Sequence, residues 1–124
     1  LNCYQTVQLS SMCKARSNPC SVFHEQYHRI VCGGGRNEAE NAKGIEWYDV
    51  NKDKWTMLLP TMLGHHMHNM WISQLDPNLL FMTVAGIFSH KVKIKRVDLR
   101  TNVLDTVWED TNISSVFEID ADFA

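Results

Sequence analysis

Gly33-Gly34-Gly35, then Tyr48-Asp49, then Trp55: these residues, in this order, decide how the chain is read. A weaker copy follows about fifty residues later, as Ala85-Gly86 and then Val97-Asp98. Met12 and Met62 open the two copies fifty positions apart, and Asp49 and Asp98 lie forty-nine apart. Self-similarity at a fixed period of this length marks a repeat architecture. Each unit is one supersecondary piece, and it cannot bury its apolar face without a neighbour.

Working outward, Cys20 to Gly34 reads as a hairpin. With its turn centred on Gln26, the pairs are Cys20–Cys32, Val22–Ile30 and His24–His28. Side chains alternate along a strand, so this register gathers Cys20, Val22, Ile30 and Cys32 on one apolar face. Arg36 to Lys43 is a polar connection. Ile45 to Val50 is a strand with large groups on both faces, as suits a sheet covered on both sides. Asn51 to Lys54 turns into a strand from Trp55 to Leu59. In the second copy the expected strands are Met70–Ser73, Leu79–Val84, Val92–Leu99 and Val103–Trp108. The turns between them fall at Asp76-Pro77-Asn78 and Thr101-Asn102. Four strands in about fifty residues make one antiparallel blade of a β-propeller. The expected organisation is a last strand of a preceding blade over residues 1–11, blades over 12–61 and 62–110, and the start of a further blade or a tail over 111–124. An all-β, incomplete ring of about two complete blades with partial flanking strands follows.

Composition excludes several classes. The chain has 124 residues, 44% hydrophobic and 21% charged, within the range of globular domains. Its net charge of −2 gives no electrostatic pull towards nucleic acid or membrane. No apolar run approaches the roughly 20 residues that cross a bilayer. Leu1-Asn2-Cys3-Tyr4-Gln5 does not read as a signal peptide, and the missing initiator Met points to a processed or excised piece. Cys3, Cys13, Cys20 and Cys32 follow no CxxC pattern and are expected to be reduced.

The order Met12, Arg16, Gly33-Gly34, Tyr48-Asp49, Trp55 resembles the kelch repeat. The second copy resembles it through Met62, His66 at the Arg position, Ala85-Gly86, Val97-Asp98 and Leu104 near the Trp position. The resemblance implies a kelch-type β-propeller, whose rings carry roughly 4–8 blades. Two blades do not close such a ring. Further blades from a longer chain, or from other copies, are therefore expected. The resemblance also implies a cytoplasmic protein–protein interaction module, plausibly the substrate-recognition part of a ubiquitin-ligase adaptor. Its contact surface would be formed by interstrand segments carrying Arg16, Arg36, His65, His66 and His68. The alternatives are a scaffold on cytoskeletal proteins, or an enzyme or metal-dependent protein on a galactose-oxidase-like propeller.

Other chemistry finds little footing. Gly33-Gly34-Gly35-Arg36 lacks the phosphate-loop spacing and a following helix. Cys20 and His24 would stand about 13 Å apart at ~3.3 Å per residue, too far to share one zinc ion. His65, His66 and His68 could hold a divalent metal or titrate near neutrality, but inter-blade hydrogen bonding is the favoured reading. Lys91, Lys93 and Lys95 alternate with apolar residues without the aromatic interleaving of a nucleic-acid surface. Three lysines on a covered sheet are a difficulty, resolved if that part projects beyond the blade, or if that face is open or meets acids. No GxSxG or paired carboxylates appear. The chain is expected not to be an enzyme and to need no cofactor, metal, nucleic acid or membrane.

Overall fold

The computed structural model describes residues 6–37, 40–42, 44–59, 66–85 and 92–110. Among the described residues ten strands are present: β1 (Cys20–His24), β2 (Arg29–Gly33), β3 (Arg36–Asn37), β4 (Glu40–Asn41), β5 (Ile45–Asp49), β6 (Lys54–Leu59), β7 (His66–Ile72), β8 (Leu79–Ala85), β9 (Val92–Asp98) and β10 (Val103–Asp110). They form two open four-stranded antiparallel sheets, β1-β2-β5-β6 and β7-β8-β9-β10, and the small ribbon β3-β4. There is no helix among the described residues. The fold is all-β.

The fifty-residue repeat has a direct physical counterpart. Asp49 ends β5 and its carboxylate accepts the amides of Asn51 and Lys52 at 2.9 and 3.2 Å. Asp98 ends β9 and accepts the Arg100 amide at 2.9 Å. Each turn then closes on a residue with positive φ, Asp53 at 50° and Asn102 at 58°. Asp and Asn tolerate that conformation and cap turns with their own carbonyl or carboxylate oxygens. Beyond the turns, Tyr48 stands opposite Trp55 and Val97 stands opposite Leu104. The two units are therefore aligned residue for residue along their third and fourth strands.

One core joins the two sheets. It holds Val31 and Ile45 of the first sheet with Met70, Leu80, Met82 and Val97 of the second. The sheets approach most closely along their first strands, β1 and β7. The face that the second sheet turns towards the first carries Val97 and Leu104. Their counterparts Tyr48 and Trp55 lie on the face that the first sheet turns away. The two units are thus stacked in the same sense, front to back, rather than face to face about a two-fold axis. Such a heterologous contact buries a different face of each sheet.

Several sequence expectations change. The β1–β2 register is Cys20↔Gly33, Ser21↔Cys32, Val22↔Val31, Phe23↔Ile30 and His24↔Arg29. The turn has four residues, 25–28, and His28 takes a φ of 54°. That one-residue shift moves Ile30 and Cys32 to the opposite face from Cys20 and Val22. Val31 takes their place in the core. Val50 leaves the strand and is exposed in the turn after β5. The polar connection after Arg36 carries the β3–β4 ladder. The first strand of the second unit begins at His66, four residues before Met70, and bulges between Met67 and Asn69. Residues 6–12 belong to no strand. The expectations for Met62, Gly86, Lys91 and residues 111–124 fall outside the described residues.

The glycine run is where backbone freedom matters. Gly34 has a φ of +70°, and a Cβ there would lie 2.8 Å from the Met67 Cβ. Gly35, at +80°, would meet the Ser17 carbonyl oxygen at 2.6 Å. Only glycine lets β7 and the 13–19 segment come this close. Gly34→Ala is expected to destabilise the chain by about 2 kcal/mol or more, from positive φ and the Met67 clash together. Urea unfolding of the two proteins checks this; an unchanged midpoint would refute the close approach.

Candidate functional site

The loops at the end of the sheets where β1 begins are organised by Glu46. Its side chain is 0% exposed, at the second residue of β5. A carboxylate in that position must be fully hydrogen-bonded to remain charged. Its oxygens accept the Cys13 amide at 2.7 Å, the Lys14 amide at 3.3 Å and Arg16 Nε at 3.1 Å. Arg16, whose side chain is also 0% exposed, donates from Nη1 to the Gly34 carbonyl at 3.0 Å. The segment before β1 is thereby clamped across the first sheet and onto the glycine run.

Arg36 is beside it. Its backbone exchanges two hydrogen bonds with Ser17, at 2.9 and 3.0 Å, and Arg36 is exposed. The Cys20 thiol donates to the Met67 carbonyl at 3.2 Å, which ties β7 to the same corner. His68, the bulged residue next to Met67, is exposed. The structure therefore brings Arg16, Arg36 and His68 to one end of the two sheets. Arg16 sits there as a buried clamp rather than an exposed cation. His66 and His68 lie in β7 and Arg36 in β3, not in interstrand segments. His65 lies outside the described residues, as does the side chain of His66.

Sequence reasoning passed over Glu46. The available signal was a lone charge inside Ile45-Glu46-Trp47-Tyr48, with Arg16 thirty residues earlier. Burial next to this clamp also acts on Cys32, whose thiol is pushed up to about 11, with Arg16 pulling the other way. Burial and the neighbouring Glu46 carboxylate raise the Cys13 thiol as well. Neither sulfur is poised as a nucleophile at neutral pH.

The lysine difficulty has a plain resolution. Lys93 and Lys95 are half-buried, far out on β9. Lys93 Nζ is 4.0 Å from a Glu109 carboxylate oxygen, and Lys95 Nζ donates to Thr106 Oγ1 at 3.3 Å. Burial lowers the Lys95 ammonium, with the Lys93 charge adding to it.

A second polar group fixes the outer edge of the first sheet. Tyr48 donates its hydroxyl to Asp53 at 2.5 Å, and the same carboxylate accepts the Ser10 amide at 3.0 Å and hydroxyl at 2.9 Å. Trp55 Nε1 donates to the Ser10 carbonyl at 2.8 Å. At the far end, His24 is 1% exposed and links the sheets. Its Nδ1 accepts the Tyr27 amide at 3.1 Å, so Nε2 carries the proton and donates to the Pro77 carbonyl at 2.5 Å. Tyr27 stacks on His24 and donates to Asn78.

No protein-family model matches this chain, and a search of curated proteins finds no significant match. No helix among the described residues is long and apolar enough to cross a membrane.

Two measurements test this site. Glu46→Ala leaves Arg16 charged and buried without its carboxylate and strips two amides of their acceptor. It is expected to cost about 3–5 kcal/mol in denaturant unfolding. Arg16→Met in the same background should recover part of that loss, because the orphaned charge is then gone. The second concerns alkali. The hydrogen bond to Asp53, and then burial, push the Tyr48 phenol up to about 12 from 10.0. The folded chain holds that proton more tightly than the unfolded one. The resulting stability is full below the ordinary phenol value and is lost as pH rises towards 12. Ultraviolet titration should show one late-ionising tyrosine that reverts towards 10 in Asp53→Asn.

Proposed function

We propose that the chain is part of a kelch-type β-propeller that acts as a protein–protein interaction module in the cytoplasm, and that partners dock on the end of the sheets organised by Glu46. The observation that carries this reading is the front-to-back stacking of two equivalent four-stranded units, closest along β1 and β7. Sheets that converge on their first strands and keep one sense are wedges, and repetition of such wedges generates a ring. The repeat residues of the kelch pattern support it further. Gly33-Gly34 admits Met67 of the next unit, and Tyr48 and Trp55 hold the segment that precedes β1.

On this reading Arg36 and His68 supply partner contact, together with the sequence neighbours His65 and His66 as further candidates, while Arg16 shapes the surface from beneath. The most specific form of the proposal is the substrate-recognition part of a ubiquitin-ligase adaptor; the alternative is a scaffold for cytoskeletal proteins. The test uses the full reading frame that contains these residues. Proteins co-purifying with the wild type are compared with those retained by Arg36→Glu and His68→Glu, with circular dichroism checking that both variants are folded. Ligase subunits with a partner lost from both variants are expected. Filament proteins in their place would favour the scaffold. A partner retained unchanged by both variants would overturn the docking surface.

A further inference from the structure

At the opposite end of β1 and β7 lies an open groove of about 660 Å³. Val22 and Phe23 line one wall, Trp71 and Ile72 the other, Pro77 closes it, and the turn residues Glu25 and Gln26 form its rim. We propose that this groove binds a short extended peptide that presents an apolar side chain followed by Lys or Arg.

Three independent features argue for that occupant. First, the walls are apolar and not fully covered. Phe23 is 45% exposed, and Trp71 and Ile72 opposite it are only half-buried. Exposed aromatic and aliphatic groups clustered around a concavity mark an interaction site more often than a bare surface. Second, the groove runs along two edge strands. Among the described residues β1 pairs only with β2, and β7 only with β8. Each therefore presents backbone groups outside the ladders that the described residues form, which suits an extended chain.

Third, the charge is one-sided. Glu25 is the one ionised residue lining the groove, it is exposed, and its carboxylate makes no ion pair among the described residues. The other titratable residue there, His24, already has both ring nitrogens engaged by Tyr27 and Pro77. The nearby acid Asp76 is engaged by Arg100 at 3.4 Å. A cation placed beside the apolar anchor is thus the complement the groove lacks, and an acidic peptide is disfavoured.

The groove is at the other end of the strands from Arg36 and His68, so the two surfaces can fail separately. The probes are three blocked tripeptides, acetyl-Leu-Phe-Arg-amide, acetyl-Leu-Phe-Glu-amide and acetyl-Gly-Gly-Arg-amide, titrated into the isotope-labelled chain and followed by NMR. Leu-Phe-Arg is expected to shift the Trp71 indole and the Phe23 and Gln26 amides, leaving Arg36 and His68 in place. Exchanging Arg for Glu in the peptide should weaken binding about fivefold, the size of one exposed ion pair. Glu25→Gln, an exposed turn substitution, should erase that difference. Equal binding of the Glu peptide, binding of Gly-Gly-Arg as strong as that of Leu-Phe-Arg, no shift at millimolar peptide, or shifts confined to the Arg36 end would each overturn the proposal.

Discussion

A carboxylate with no access to water holds the first unit in shape. Glu46 sits in the central part of a sheet, where an uncompensated charge would be very costly. It is tolerated because two backbone amides and one guanidinium converge on it. Those three donors come from residues 13–16, so the same interaction that neutralises Glu46 also fixes the chain entering β1. Arg16 passes the constraint on to Gly34, and Gly34 in turn lies against Met67. One buried ion pair therefore connects the loop end of the first sheet, the glycine run and the next sheet. Buried pairs of this kind contribute little net stability compared with apolar packing, but removing one partner is severe. Their use here is positional.

The glycine run makes sense only within that chain of contacts. A glycine pair at a strand end in isolation weakens the strand. Here it allows two layers of backbone and a methionine side chain to meet within distances no Cβ would permit. By strand register Thr83 and Val84 stand where Gly33 and Gly34 stand in the first sheet, so the strand itself does not demand two glycines.

Much of the fold was legible in the sequence. The fifty-residue spacing located both four-stranded units, and Asp49 and Asp98 marked equivalent turns because a short carboxylate caps a backbone turn wherever it is placed. The β1–β2 register was not legible. Between His24 and Arg29 the residues Glu25, Gln26, Tyr27 and His28 include no glycine, asparagine or proline to announce which of them adopts positive φ. A one-residue error there reverses every side chain of β2 relative to β1. The candidate site was legible in part. Arg16, Arg36 and His68 do gather at one end of the sheets, but the exposure of each depends on partners distant in sequence. Glu46 buries Arg16, and nothing in the local sequence around either residue forecasts their pairing.

The divergence of the second copy follows from what each face meets. Tyr48 and Trp55 lie on a face crossed by the Ser10 segment, which offers a carbonyl, an amide and a hydroxyl, and their polar tips bond to Ser10 and Asp53. Val97 and Leu104 occupy the same places in the second sheet, but that face abuts the apolar core formed with Val31 and Ile45. A phenol or an indole there would bring a donor into a region without an acceptor, so plain hydrocarbon is the better occupant. The substitution that makes the second repeat hard to recognise is the one its position between two sheets requires. Glu46 and its counterpart Lys95 differ for a related reason. Glu46 is enclosed by backbone donors, whereas Lys95, out on β9, keeps partial access to solvent and a threonine hydroxyl. Repeat units that bury the same face against different neighbours should diverge most at the residues whose polar groups point into that face. The turns, whose caps are satisfied within the unit, should keep their residues.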